Sequence, residues 1–221
     1  MVEYRTDEER VQLILDYFNQ YKLAIISFLL FVIISVSGYF YVTNNNKQLN
    51  SEAYSLYVQW NENKDIALFD KLQGDYINTG FAQLALITRA TLLANEGNID
   101  DSLRLLYLVK ENSDGFFGNE FLNFISKINI ARLELSMKNF EKALFMLESI
   151  NTNEVNPTVK ILIGDALFGS QRYDLAKKAY FEALELSQIN EEKAIIKSKL
   201  NQLEIEPVSY THLRAHETNS H

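Results

Sequence analysis

The sequence predicts an all-α protein in which a single N-terminal transmembrane helix precedes an α-solenoid of stacked helix pairs. Three observations lead to this prediction. Residues 23–42 contain no charged side chain. Apolar residues then recur at helical spacing almost to the end, without the sustained alternation of a strand. A short segment near residue 98 recurs 41 residues later and again after a further 33, which is the kind of period that helical repeat proteins have.

Residues 23–42 match the length of about 20 residues that a helix needs to cross the hydrocarbon core of a bilayer. Tyr39, Phe40 and Tyr41 at one end and Lys22 at the other suit the two membrane interfaces. A cleaved signal peptide has a basic start, a shorter apolar core and a small-residue cleavage site. Here the preceding residues are acidic overall and the run ends in aromatic residues, so we expect a retained anchor.

The residues before the span carry one apolar stripe at helical spacing, formed by Val11, Ile14, Leu15 and Phe18. This pattern predicts an amphipathic helix. This helix could lie on the membrane surface, contact a partner, or simply extend the span into the cytoplasm.

The orientation of the span follows from the basic residues beside it. Arg5, Arg10 and Lys22 precede the span, whereas Lys47 is the one basic residue among the twenty that follow. An excess of Lys and Arg marks the cytoplasmic side of a membrane. We therefore expect the head in the cytoplasm and the repeat domain outside it. The predicted segments are a head at 1–22, the span at 23–42, a polar junction at 43–49, the repeat domain at 50–206 and a non-native tail at 207–221.

Composition excludes several classes of function. The formal net charge of −8 is unfavourable for a nucleic-acid-binding protein. The chain has no Cys, which excludes a disulfide framework and a lipid-modified cysteine. It contains no nucleophile, phosphate-loop or dinucleotide motif. We therefore expect no catalytic residues, no cofactor and no enzyme activity.

The segment 208–218 resembles the translation of a sequencing adapter. We therefore expect the natural C-terminus to lie near or beyond Glu206. His212 and His216 have the spacing of a metal-binding pair on a helix. All three histidines of the chain lie in this tail, and we therefore expect no metal site.

The repeat segments 98–102, 139–143 and 172–176 each separate two apolar patterns of helix length. Asn156 and Pro157 supply an N-cap and a first-turn proline for the last copy. These copies resemble the tetratricopeptide repeat, in which small residues at three positions and an aromatic at a fourth let two helices cross closely. The last copy matches this pattern fully. In the first two copies, Leu or another large residue occupies some of these positions. The signature residues are Ala131, Ala143, Gly164, Ala176, Tyr180 and Ala183.

The tetratricopeptide resemblance implies that the first helix of each pair lines an inner face that binds protein segments. The alternative is that several of these positions pack inside the stack. The implied inner-face residues are Ile87, Thr91, Ala94 and Asn95, then Ile128, Arg132, Leu135 and Ser136, then Ile161, Asp165, Phe168 and Gly169. The span offers a second candidate surface, formed by its small residues Ser27, Ser35 and Gly38. Small residues let membrane helices approach each other. The alternative is that lipid simply surrounds the span.

Features along residues 1–203 together resemble one family. They are the Glu-Glu-Arg-Val start of the head, its aromatic lead-in, the Gly-Tyr-Phe-Tyr end of the span, and the repeat segments INIARLELSMKNFEKALFMLESI and IGDALFGSQRYDLAKKAYFEAL. In this order and spacing they resemble the YfgM family, the ancillary subunit of the bacterial Sec translocon.

The family resemblance implies an inner-membrane protein of Gram-negative bacteria with a periplasmic repeat domain. Such proteins associate with the SecYEG channel and the periplasmic chaperone PpiD, and help to pass newly translocated, secreted-protein clients to chaperones. The alternative is a structural scaffold for another cell-envelope complex that handles no clients.

Overall fold

The computed structural model describes the backbone of residues 7–115, 118–150 and 156–217. Side chains are described there except at 7–10, 13–14 and 204–217. The described residues contain no strand, and the predicted all-α class is confirmed. The helices are α1 (Asp7–Asn63), α2 (Ile66–Asp75), α3 (Gly80–Asn95), α4 (Ile99–Asn112), α5 (Glu120–Ser136), α6 (Phe140–Glu148), α7 (Pro157–Gly169), α8 (Tyr173–Leu186) and α9 (Asn190–Glu217).

The chain divides into two compact units, Met1–Glu52 and Ala53–His221. In the first unit, α1 contains one stretch that is long and apolar enough to cross a membrane, and its side chains are exposed. The predicted junction at 43–49 is helical and continues α1. Within it, the side-chain amide of Gln48 donates to Glu52 at 3.0 Å, one turn further along the helix.

In the second unit, the helices form pairs. The first helices of three pairs, α3, α5 and α7, each begin at a side chain that accepts a helix N–H. These N-caps are Thr79, Asn119 and Asn156. The predicted N-cap and the first-turn Pro157 are thereby confirmed at the start of α7.

Each first helix ends in the same tight turn. Gly97, Lys138 and Gln171 stand at equivalent places with φ values of 83°, 62° and 62°. In each turn the next N–H donates to a carbonyl five residues earlier, at 2.8 to 2.9 Å. This Schellman arrangement reverses the chain within two residues. The second helices, α4, α6 and α8, therefore begin without a side-chain cap.

The stacking of the pairs gives the repeat unit an inner and an outer side. The first helices contact one another, α3 with α5 and α5 with α7, whereas the described second helices are at most in marginal contact with each other. The side on which neighbouring helices lie closer is the concave side of a solenoid. The first helices therefore line the inner face, as the tetratricopeptide resemblance implies.

The two ends of the unit are closed differently. Before α3, an aromatic cluster places the ring of Trp60 5.6 Å from Phe69 and that of Tyr57 6.1 Å from Phe81. After α8, helix α9 buries Ile196 against the stack. Of the predicted non-native tail, the backbone continues α9 as far as Glu217, while its side chains, including the histidines, and residues 218–221 lie outside the described part.

Candidate partner-binding faces

The six predicted signature residues are all buried where the helices of a pair cross. The closest crossing is in the last pair, where Gly164 on α7 faces the ring of Tyr180 on α8. A Cβ at position 164 would lie 2.3 Å from a ring carbon, which no real contact allows. The aromatic ring therefore requires glycine opposite it. In the first two pairs a leucine occupies the same place as the ring, and alanine suffices on the first helix.

Asp165 joins the last pair to α9. One oxygen of its carboxylate accepts from the Tyr180 hydroxyl at 2.7 Å and from Lys199 Nζ at 2.7 Å. Burial raises the pKa of Tyr180 far above its usual value, and the hydrogen bond to Asp165 and the charge of that carboxylate raise it further. Asp165 was predicted as a partner-binding residue. The structure gives its charge two partners within the chain.

The other predicted inner-face residues divide by polarity. Ile87 and Ile128 are buried, and a Cβ on Gly169 would meet the ring of Phe140 at 2.2 Å, so these positions pack inside the stack. Phe168 is half-buried and its ring lies 5.6 Å from that of Tyr173. The residues that reach solvent are the four polar ones, Thr91, Asn95, Arg132 and Ser136.

These four differ in what they offer a partner. The hydroxyls of Thr91 and Ser136 donate to carbonyls of their own helices, at 2.9 and 2.7 Å, so only their acceptor capacity remains. Arg132 forms no ion pair or side-chain hydrogen bond with the described residues. Its guanidinium is therefore an unpaired charge of the inner face in the described part of the chain.

Two apolar residues extend the inner face and were not predicted. Phe121 lies eleven residues before Arg132 and Leu84 eleven before Asn95, a spacing that returns to the same helical face. Phe121 is 68% exposed and Leu84 36%. The inner face therefore has apolar side chains near the starts of α3 and α5 and polar ones near their ends. Helical spacing from the predicted residues could have located both.

The span presents a separate surface. Ser27, Ser35 and Gly38 are exposed, and a Cβ on Gly38 would meet nothing within 4 Å. Because these small residues are exposed, another membrane helix could approach closely there.

The described residues offer little for chemistry. No three His, Cys, Asp or Glu side chains among them are close enough together to hold a metal ion. The depressions at the surface are shallow and lie on the outer, second-helix side of the stack. The arrangement suits the binding of protein segments better than the enclosure of a small molecule.

Comparisons with known proteins agree with this geometry. The family of tetratricopeptide repeat-like domains matches residues 16–205. The ancillary SecYEG translocon subunit of Buchnera aphidicola subsp. Acyrthosiphon pisum (strain APS) is 25% identical over 181 residues, which cover 81% of this chain and 92% of that protein. No solved structure matches the chain significantly. The predicted repeat type and family resemblance are both confirmed.

Proposed function

Because the chain belongs to the family of tetratricopeptide repeat-like domains, we propose that it is a membrane-anchored, non-catalytic adaptor of the Sec translocon. The observation that carries this proposal is the relative that is named an ancillary SecYEG translocon subunit, since the two chains align over most of both lengths. The family match at residues 16–205 includes the apolar helix as well as the repeats.

The proposed topology places residues 23–42 across the inner membrane, with the head in the cytoplasm and the repeats in the periplasm. Arg5, Arg10 and Lys22 before the span, against Lys47 after it, support this orientation. The exposed small residues of the span then lie within the bilayer, where the helix docks beside the helices of SecYEG.

The inner face is the proposed binding surface for newly translocated chains and for the chaperone PpiD. Exposed Phe121 and Leu84 give it apolar contact area, and Arg132 gives it one unpaired charge. Anchoring fixes this face near the exit of the channel, so the local concentration of emerging chains is high and weak binding suffices. Weak binding also allows a client to be released to a chaperone.

Photocrosslinking from defined positions tests this proposal. Benzoylphenylalanine replaces Ser35 in the span, Arg132 on the inner face, or Lys178, which is exposed on the outer helix α8, as the matched control. In native membranes we expect Ser35 to capture SecYEG subunits and Arg132 to capture PpiD or newly secreted chains, with Lys178 capturing neither. Capture of unrelated envelope proteins from both Ser35 and Arg132 would instead favour a structural scaffold.

A further inference from the structure

The outer side of the stack carries an exposed aromatic residue that the inner-face function does not use. Phe145 on α6 is 73% exposed, whereas the next residue, Met146, is 3% exposed. The second helices diverge on this side, and between α4 and α6 they leave a shallow depression of about 330 Å³. Half-buried Tyr107 from α4 faces Phe145 across it. The walls of the depression are therefore apolar and largely aromatic.

The rim of this depression is basic. Its charged residues are Lys110, Lys142 and Glu141. Arg172 donates to the carboxylate of Glu141 at 2.6 Å, whereas neither lysine has an ion-pair or side-chain hydrogen-bond partner among the described residues. Two free ammonium groups thus flank an apolar depression on a chain whose formal net charge is −8. This local reversal of charge attracts acidic groups.

A buried polar contact joins the helices beside the depression. Glu134, which is buried at the end of α5, accepts from the Asn139 side chain at 2.8 Å at the start of α6. Burial raises the pKa of Tyr107, and the charge of Glu134 raises it further. The Tyr107 hydroxyl therefore stays protonated and available as a donor at the edge of the depression.

From the apolar walls and the two unpaired lysines, we propose that the depression between α4 and α6 docks a segment of a partner protein. This segment has one bulky apolar side chain flanked by acidic residues. The apolar side chain packs against Phe145 and Tyr107, and the carboxylates pair with Lys110 and Lys142. Apolar anchors that fill a pocket carry much of the binding energy of protein interfaces, and charges at the rim select complementary partners.

Peptide binding to the full-length protein in nanodiscs tests this proposal. The probe is a fluorescein-labelled peptide, Asp-Glu-Asp-Gly-Phe-Asp-Glu-Asp, and a second peptide carries Lys at every acidic position. We expect the acidic peptide to bind at least ten times more tightly than the basic one, with an affinity that falls as salt is raised.

Three variants locate the binding. F145A removes an exposed side chain, so the fold is expected to be unaffected, and binding should weaken at least tenfold. F181A removes another exposed ring, from α8, and should leave binding unchanged. K110E/K142E should reverse the preference between the two peptides.

Three results would overturn the proposal. They are equal binding of the two peptides, unchanged binding by F145A, and a loss in F181A as large as in F145A. Loss of self-association in F145A, without any binding of the acidic peptide, would identify the depression as a contact between copies of this chain. None of these results depends on association with the translocon.

Discussion

The second and third helix pairs achieve the same close crossing with different residues. In the second pair, Ala131 faces Leu147, with Ile150 beside them. In the third pair, glycine faces Tyr180, and Ala183 replaces the isoleucine. A larger residue at one position is matched by smaller ones at the other two. Because protein interiors are close-packed, the larger ring at one position requires smaller residues at the other two.

The two pairs differ in a second respect. The Tyr180 hydroxyl gives the third pair a polar connection, through Asp165 to Lys199 on α9. The leucine of the second pair has no such group. The aromatic residue thus fills the crossing and also ties the terminal helix to the stack.

The volume argument makes its largest prediction at Gly164. G164A places a Cβ against the buried ring of Tyr180, and overpacking of this kind costs about 1–3 kcal/mol. Improved helix propensity offsets about 1 kcal/mol of that cost. We expect a net loss of up to about 2 kcal/mol in the free energy of unfolding, measured by urea denaturation of the detergent-solubilised protein and followed by circular dichroism.

A double-mutant cycle and a control sharpen this test. In a Y180L background, which places the leucine of the second pair at position 180, G164A should cost nothing or stabilise. G74A is the control, because a Cβ on Gly74 meets nothing within 4 Å, and it should stabilise slightly. An equal loss from G164A in both backgrounds would show that the ring is not the cause.

The polar connection makes a smaller prediction. Y180F removes one hydrogen bond to Asp165, and a loss of about 1 kcal/mol is expected at neutral pH. The pKa of Tyr180 is raised in the folded state above its usual value of 10, so its contribution is complete below pH 10. Above pH 10 the unfolded tyrosine ionises while the folded one does not, and the contribution is lost as pH rises.

The difference in stability between the native protein and Y180F should therefore shrink above pH 10. Paired urea titrations at neutral pH and above pH 10 measure it. A difference that stays constant with pH would contradict the buried, hydrogen-bonded state of the hydroxyl.

The turns give the smallest expected effect. Lys138 in the second pair adopts the left-handed conformation that Gly97 adopts in the first. That conformation costs a non-glycine residue about 1–2 kcal/mol, part of which is offset by the greater freedom of glycine when unfolded. K138G should stabilise by about 0.5 kcal/mol in the same urea assay. K142G, in the helix that follows, should instead destabilise by about 1 kcal/mol. Equal effects of K138G and K142G on the free energy of unfolding would contradict a specific cost of the left-handed conformation at Lys138.

The sequence located the features that depend on local pattern. The span, the start of α7 at Asn156 and the crossing of Gly164 with Tyr180 were all recognisable from residue type and spacing. Residues 43–49 were predicted as a polar junction, because an Asn-rich segment is typical of a break. In the structure they continue α1, and the Gln48 side chain donates to Glu52 along the helix.

Contacts between repeats were harder to predict. Asp165 was assigned to the inner face, but Lys199, which lies 34 residues later, reaches its carboxylate. Exposed Phe121 and Phe145 lie outside the signature positions, and their exposure depends on how neighbouring helices diverge. The sequence pattern within one repeat therefore identifies the buried residues of that repeat. Which of its other residues stay exposed depends on how the neighbouring repeats pack against it.

One measurement tests most directly whether the inner face binds newly translocated chains. F121S removes the most exposed apolar side chain of that face, and L175S removes an exposed side chain from the outer helix α8 as the matched control. Each is combined with benzoylphenylalanine at Arg132, and crosslinks to pulse-labelled secreted proteins are quantified. We expect F121S to reduce the yield at least fivefold and L175S to leave it unchanged. Equal yields in all three proteins would contradict a client-binding inner face.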